Sequence, residues 1–64
     1  MYFRLKIEIQ KKYSIEKFAK LLNISDKTLR NKINGTTDFS WSEVLRIREI
    51  LKPDLNLEEL FQKE

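Results

Sequence analysis

The stretch SIEKFAKLLNISDKTLRNKING, which spans Ser14 to Gly35, decides the fold because it predicts two short helices joined by a tight turn. Serine is a common helix cap, and Ser14 precedes apolar residues with the i, i+3, i+4, i+7 spacing of one helix face. That stripe consists of Ile15, Phe18, Ala19 and Leu22. The turn follows at Asn23, Ile24 and Ser25. Asparagine tolerates the left-handed backbone that a sharp helix exit needs.

The second helix of this stretch carries few apolar residues. Ser25 caps it, and only Leu29 and Ile33, one turn apart, face inward. The remaining positions form a polar and cationic face made of Asp26, Lys27, Thr28, Arg30, Asn31 and Lys32. A helix anchored by two side chains, with long hydrogen-bond donors on its outer side, suits insertion into a DNA groove.

Composition limits the functions that the chain could have. Its 64 residues predict one domain, 1–64, near the lower size at which a hydrophobic core suffices without cross-links. The absence of cysteine and histidine excludes disulfides and the commonest zinc ligands, and it agrees with a reducing cytoplasm. With no glycine-rich phosphate loop and no catalytic histidine or cysteine, we expect no enzyme, metal, cofactor or small-molecule substrate. No apolar run could span a membrane, and no signal-peptide pattern opens the chain.

The charge is distributed unevenly along the sequence. Residues 1–34 carry nine Lys or Arg against three acids, a net of +6, whereas residues 35–64 carry four against seven, a net of −3. A basic half beside an acidic half is expected of a protein that lays one face on a polyanion. Solvated helices are also often lysine-rich, so the asymmetry favours DNA only because it coincides with the two-helix stretch.

Capping residues predict the helix boundaries. The spacing of a hydrophobic staple recurs at four helix starts, capped by Ser14, Ser25, Ser40 and Asn56. Glu43 and Glu59 follow the last two caps at the spacing of a capping box. We therefore predict helices at about 2–12, 15–22, 26–34, 41–51 and 57–61. Gly35 ends the third helix, and Pro53 stops the fourth near residue 51.

The caps Ser14 and Ser25 are not followed by a glutamate three residues later; Lys17 and Thr28 stand at those positions. The first amides of those two helices are therefore less fully occupied by the chain itself. They could accept a phosphate at the positive end of the helix dipole. Water, or the acidic side chains Glu16 and Asp26, could equally satisfy them.

These helices predict an all-α fold, a compact five-helix bundle. The expected core draws on Leu5, Ile9, Phe18, Ala19, Leu22, Ile24, Leu29, Ile33, Val44, Ile47, Leu51, Leu55, Leu60 and Phe61. Residues 3–9 alternate apolar and charged as in a strand, but no plausible partner strand exists elsewhere in the chain. A helix is therefore favoured there, with Tyr2 buried and with Phe3 and Ile7 on a second face.

The residues resemble the Cro and repressor type of helix-turn-helix regulator found in phages, plasmids and mobile elements, in particular the small Cro-like proteins of Gram-positive phages. The resemblance covers nearly the whole chain and rests on FAKLLNIS (18–25), TLRNKINGTTDFS (28–40), SEVLRIREIL (42–51) and LEELF (57–61). Two positions depart from the family. Asn23 stands where the family usually has Gly, and Ile15 stands where many members have a Gln that contacts the DNA backbone.

The resemblance implies a lambda-repressor-like fold in which helices 2 and 3 form a helix-turn-helix and helix 3 lies in the major groove. Carried over by position, the residues facing the bases are Ser25, Asp26, Lys27, Arg30 and Asn31. The candidates for phosphate contacts are Ser14, Lys17, Thr28, Asn34, Thr36 and Thr37. Arginine and lysine can donate to guanine, and asparagine can pair with adenine. Asp26 can accept from cytosine or interact with the helix dipole, and both roles stay open.

Several other polar residues have simpler interpretations. Thr36 and Thr37 could form an ordinary polar loop, and Asn34 could simply end a helix. Lys11, Lys12 and Lys20 are expected to add only to the positive field. For Trp41, packing is favoured over stacking on bases, since tryptophan contributes a large apolar area to a small core.

The implied function is a sequence-specific, operator-binding regulator of transcription in the cytoplasm of a bacterial cell, encoded by the host, a phage or a mobile element. The alternative is a protein-interaction module, such as an antirepressor or antitoxin subunit, with the same fold. The expected partner is double-stranded DNA, bound by a homodimer, because one helix in one groove contacts too few base pairs to select a site. Either the surface of helices 4 and 5 or the Phe3–Ile7 pair could supply the dimer contact, and the surface of helices 4 and 5 is favoured.

Overall fold

Five α-helices make up the part of the chain that the computed structural model describes, residues 1–63. They are α1 (Phe3–Lys12), α2 (Ile15–Leu21), α3 (Asp26–Asn34), α4 (Trp41–Leu51) and α5 (Leu57–Leu60). They pack into a globule of 25 × 22 × 21 Å. The all-α prediction is confirmed, and so is helix rather than strand at residues 3–9. The predicted bounds hold for α3 and α4. The predictions for α1, α2 and α5 are each one residue too long, because the extra residue is a cap: Tyr2 before α1, Leu22 after α2 and Phe61 after α5.

The four predicted N-caps all form. In each, a side-chain oxygen accepts the N–H of the third helical residue; the caps are Ser14, Ser25, Ser40 and Asn56. The reciprocal bond of a capping box is present at Ser40, whose N–H donates to Glu43 Oε1 at 2.7 Å. At Asn56 the corresponding Glu59 carboxylate instead lies 3.8 Å from Arg4. These caps fix where each of the four helices begins.

The helix ends depend on left-handed backbone at three residues. Gly35 ends α3 with φ +87°, as predicted, and Asn23 has φ +60° in the turn after α2. Lys52, which the sequence did not single out, ends α4 with φ +45°. Pro53 disfavours right-handed helical backbone at the residue before it, which explains why α4 ends here but not why Lys52 takes the left-handed region.

The core contains most of the predicted residues. Those buried as predicted are Leu5, Ile9, Phe18, Ala19, Leu29, Ile33, Ile47, Leu51 and Leu60. Leu22, Ile24, Leu55 and Phe61 are only half-buried and pack against this core, because each lies at a helix end or in a connection. Val44 is also half-buried, at the edge of a surface groove beside Leu57.

Three aromatic rings close one end of the bundle. Tyr2, Phe39 and Phe61 meet edge to face, with centroids 5.4 to 5.8 Å apart. The Tyr2 N–H donates to the Ile33 carbonyl at 2.8 Å, which ties the start of the chain to the last turn of α3. Hydrophobic periodicity does not reveal this cluster, because its members come from three separate segments.

The prediction that Trp41 packs in the core is wrong. Its residue is 67% exposed. Phe39, two residues earlier, is the ring that packs against Tyr2 and Phe61. Trp41 therefore extends over the outside of the aromatic cluster and lines a surface groove.

A partly buried ion pair connects α3 to α4. Lys32 Nζ lies 3.0 Å from Glu43 Oε1 and donates to the Asp38 carbonyl at 2.9 Å. Burial raises the pKa of Glu43, but hydrogen bonds from Ser40 and Lys32 lower it more, so the net pKa is below its ordinary value of 4.5. Lys32, which the sequence places on the outer polar face of α3, thus serves the fold.

Glu43→Gln is expected to lower the free energy of unfolding by about 1 kcal/mol at neutral pH, because the amide loses charged hydrogen bonds. The carboxylate's contribution is fully present above its unfolded pKa and is lost as the pH falls through the lowered folded pKa. The difference in the free energy of unfolding between Glu43→Gln and wild type should therefore vanish at acidic pH. Urea unfolding between about pH 7 and pH 3 measures it. Glu49→Gln, an exposed change on α4, is the control, and a pH-independent difference for Glu43→Gln would contradict the assignment.

Candidate nucleic-acid interface

Helices α2 and α3 contact each other through buried side chains on both. Phe18 and Ala19 lie on α2, and Leu29 and Ile33 lie on α3. The turn between the helices is fixed by its backbone, since the Ile24 N–H donates to the Ala19 carbonyl at 3.0 Å. This packing sets the direction of α3 and leaves its outer face to solvent.

The residues predicted to face bases all lie on the cap or the first two turns of α3. Ser25, Asp26, Lys27 and Arg30 are exposed, and Asn31 is half-buried. Arg30 and Asp26 approach to 4.0 Å, with more than half of each side chain in solvent. Such a contact is weak and screened, so both groups remain able to bind a ligand. Lys27 has no ion pair among residues 1–63.

The two hydroxyls at the start of α3 bond to each other. Ser25 Oγ accepts the Thr28 N–H at 3.1 Å and donates its hydrogen to Thr28 Oγ1 at 2.8 Å. The Ser25 hydroxyl therefore has only acceptor capacity left. The Thr28 hydroxyl still has its hydrogen to donate, as a contact to phosphate requires.

The residues predicted to contact phosphate lie at three places, one of which is Thr28 at the start of α3. Ser14 and Lys17 are exposed at the start of α2 and border one depression with Lys20. Asn34, Thr36 and Thr37 are exposed at and after the end of α3. The N–H groups of Thr36 and Thr37 both donate to the Asn31 carbonyl, at 2.9 and 3.4 Å, which holds the loop against the helix end. The backbone N–H groups of Thr36 and Thr37 are thus already bonded, and only their side chains are available to contact a phosphate.

The cations of the basic half fall into three groups. Lys11 pairs with Glu8 at 2.8 Å, Lys12 donates to the Leu51 carbonyl, and Lys32 pairs with Glu43. Arg4 and Arg30 make only long contacts, to Glu59 at 3.8 Å and to Asp26 at 4.0 Å. The cations of residues 1–34 with neither an ion pair nor a side-chain hydrogen bond in the described range are Lys6, Lys17, Lys20 and Lys27. These four unpaired lysines lie on α1, α2 and α3.

The sequence did not single out Lys6 and Gln10 as functional residues. The structure places them on one side of an open cleft whose other side carries Arg30 and Asn34. Their i, i+4 spacing on α1 shows that they share a face, but only the packing of α1 against α3 brings that face to the candidate interface.

Two further features are absent from the part of the chain that the structure describes. None of its helices has the length and hydropathy of a membrane span. No group of three or more His, Cys, Asp or Glu residues within 1–63 could hold a metal ion.

Comparisons with protein-family models, with curated proteins and with solved structures find no match for this chain. The resemblance to Cro and repressor proteins therefore rests on the motifs of residues 18–61 alone.

Proposed function

We propose that the protein binds double-stranded DNA sequence-specifically, with α2 and α3 as a helix-turn-helix, and regulates transcription by occupying an operator. The observation that carries the proposal is the outer face of α3, where Lys27 and Arg30 are exposed and free of strong ion pairs. Asn31 and Asp26 add amide and carboxylate groups to the same part of the helix. Together these groups match the donors and acceptors that base edges present in the major groove.

The distribution of charge supports the same proposal. The net charge of +6 lies in residues 1–34, which form α1 to α3. Unpaired lysines on these helices can approach phosphates without first breaking an internal contact. Neutralising phosphates releases counterions from the DNA, which makes such binding depend steeply on salt. The acidic residues of the second half all lie at or beyond Asp38. Phosphate would repel them, so α4 and α5 are expected to face away from the DNA, while the loop with Thr36 and Thr37 stays beside α3.

Arg30→Ala is expected to weaken the free energy of binding to the preferred DNA sequence by about 1–3 kcal/mol, because arginine pairs with guanine through two hydrogen bonds. It should also relax the preference for one base at a single position of the site. Selection of bound sequences from a random DNA pool, with wild type and variant, measures both effects. Arg46→Ala, an exposed change on α4, is the control and should keep the wild-type preference. Equal weakening by Arg30→Ala on all sequences would show that Arg30 contacts phosphate instead.

Lys17→Ala is expected to weaken binding nearly uniformly over sequences and to reduce the dependence of log K on log salt by about one unit, since phosphate contacts do not depend on sequence. Titrations of one duplex at several salt concentrations provide the slope. Arg48→Ala on α4 removes the same charge and should change the slope far less. If the slope of log K against log salt is unchanged in Lys17→Ala, Lys17 does not contact the DNA.

Failure of the wild-type chain to bind DNA in a salt-dependent manner would favour the alternative, a protein-interaction module. The exposed apolar residues Trp41, Phe3 and Ile7 would then be the first candidates for a protein contact.

We also propose that the protein binds DNA as a two-fold dimer through a groove beside Trp41. This Trp41 groove encloses about 260 Å³ and is lined by Tyr2, Phe39, Trp41, Val44, Leu57, Glu58 and Phe61. The exposed indole and the groove adjoin each other on one surface. A two-fold axis can therefore place the indole of each copy in the groove of the other. This contact belongs to the acidic half, away from the phosphates.

Trp41→Ala is expected to change the free energy of unfolding by less than about 0.5 kcal/mol, because the residue is 67% exposed. It should weaken binding to two inverted half-sites about 34 Å apart more than binding to one half-site. Ile7→Ala, on the exposed face of α1, is the matched control and should not discriminate between these duplexes. Tight, specific binding of a monomer to an isolated half-site would contradict the dimer.

A further inference from the structure

A cleft between α1 and α3 has the composition of an anion site. It encloses about 290 Å³ and is lined by Lys6, Gln10, Ile15, Arg30, Ile33 and Asn34. Ile33 is 3% exposed and Ile15 is half-buried against the core, so the floor is rigid and apolar. The other four side chains, two cations and two amides, are the polar part of its lining.

No carboxylate among the described residues, 1–63, lines this cleft. Lys6 has no ion pair among residues 1–63, and the Arg30 contact with Asp26 is long, at 4.0 Å, and exposed. Neither amide side chain has a hydrogen-bond partner in the described range. Two positive charges and two amides thus share one concavity, and Asp26, which does not line the cleft, is the one carboxylate of the described range that pairs with either cation. A phosphate oxyanion would satisfy them, because all four side chains can donate to it.

We propose that this cleft binds a phosphate of the DNA backbone, held by Lys6 and Gln10 of α1 together with Asn34 of α3. The inference rests on the proposed function, which brings α3 to the DNA. Arg30 and Asn34 lie one turn apart on α3, so a phosphate in the cleft lies beside the groove that α3 enters. The DNA interface then includes the first helix and extends beyond the helix-turn-helix.

Lys6→Gln tests this assignment with Lys11→Gln as its control. Both changes remove one charge from α1, but Lys11 is already paired with Glu8 at 2.8 Å and does not line the cleft. Lys6→Gln is expected to lower the magnitude of the salt slope by about one unit and to weaken binding uniformly over DNA sequences. Lys11→Gln should change the slope by much less, and Lys6→Arg should restore it. Thermal melts of each variant verify that the fold is kept.

A second measurement identifies the source of the anion. Replacing single phosphates of the bound duplex by methylphosphonate should reveal one position at which the replacement weakens wild-type binding much more than it weakens binding by Lys6→Gln, which keeps only the amide contacts of Gln10 and Asn34. Absence of such a position, or equal slopes for Lys6→Gln and Lys11→Gln, would overturn the cleft assignment while DNA binding by wild type persists. A loss of inorganic phosphate binding in Lys6→Gln with an unchanged DNA slope would also overturn it. If wild type itself shows no salt-dependent DNA binding, the proposed function is wrong, and the cleft assignment that rests on it is wrong as well.

Discussion

The orientation of α3 depends on the burial of two side chains, Leu29 and Ile33, which are the only apolar residues in that helix. Burial of each contributes about 1.5–3 kcal/mol, a large share of the stability of so short a chain. Their spacing of four residues confines the inward face to a narrow stripe. Because that stripe is narrow, most of the helix circumference can carry polar groups without disturbing the core.

Polar contacts at both ends of α3 supplement those two anchors. The Ser25 cap holds its start, and the Tyr2 N–H bonds to the Ile33 carbonyl at its end. Lys32 adds a bond to Glu43 across to α4. The contacts at its two ends thus prevent α3 from sliding along its axis. The burial of Leu29 and Ile33 prevents it from rotating about that axis. A rigid support of this kind favours specific recognition, since side chains on a fixed helix lose less freedom on binding.

Local features were predictable from the sequence, whereas features set by packing between segments were not. Caps such as Ser40 and the left-handed Gly35 follow from the residue and its near neighbours. Trp41 shows the limit, because whether it is buried depends on Phe39, Tyr2 and Phe61, which meet only in the folded chain. The left-handed Lys52 was missed although Pro53 was recognised as a helix stop, since the proline forbids one backbone region without selecting another.

The candidate interface shows the same division. The sequence places the residues of α3 and the positive charge of residues 1–34, but it treats every lysine alike. The structure separates lysines whose charge is used internally, such as Lys32, from those left unpaired, such as Lys6 and Lys27. Only the second group can neutralise phosphates without losing an internal contact. The positive charge left for the proposed DNA contact is therefore set by pairing, and the packing of α1 against α3 places the unpaired Lys6 beside Arg30 and Asn34.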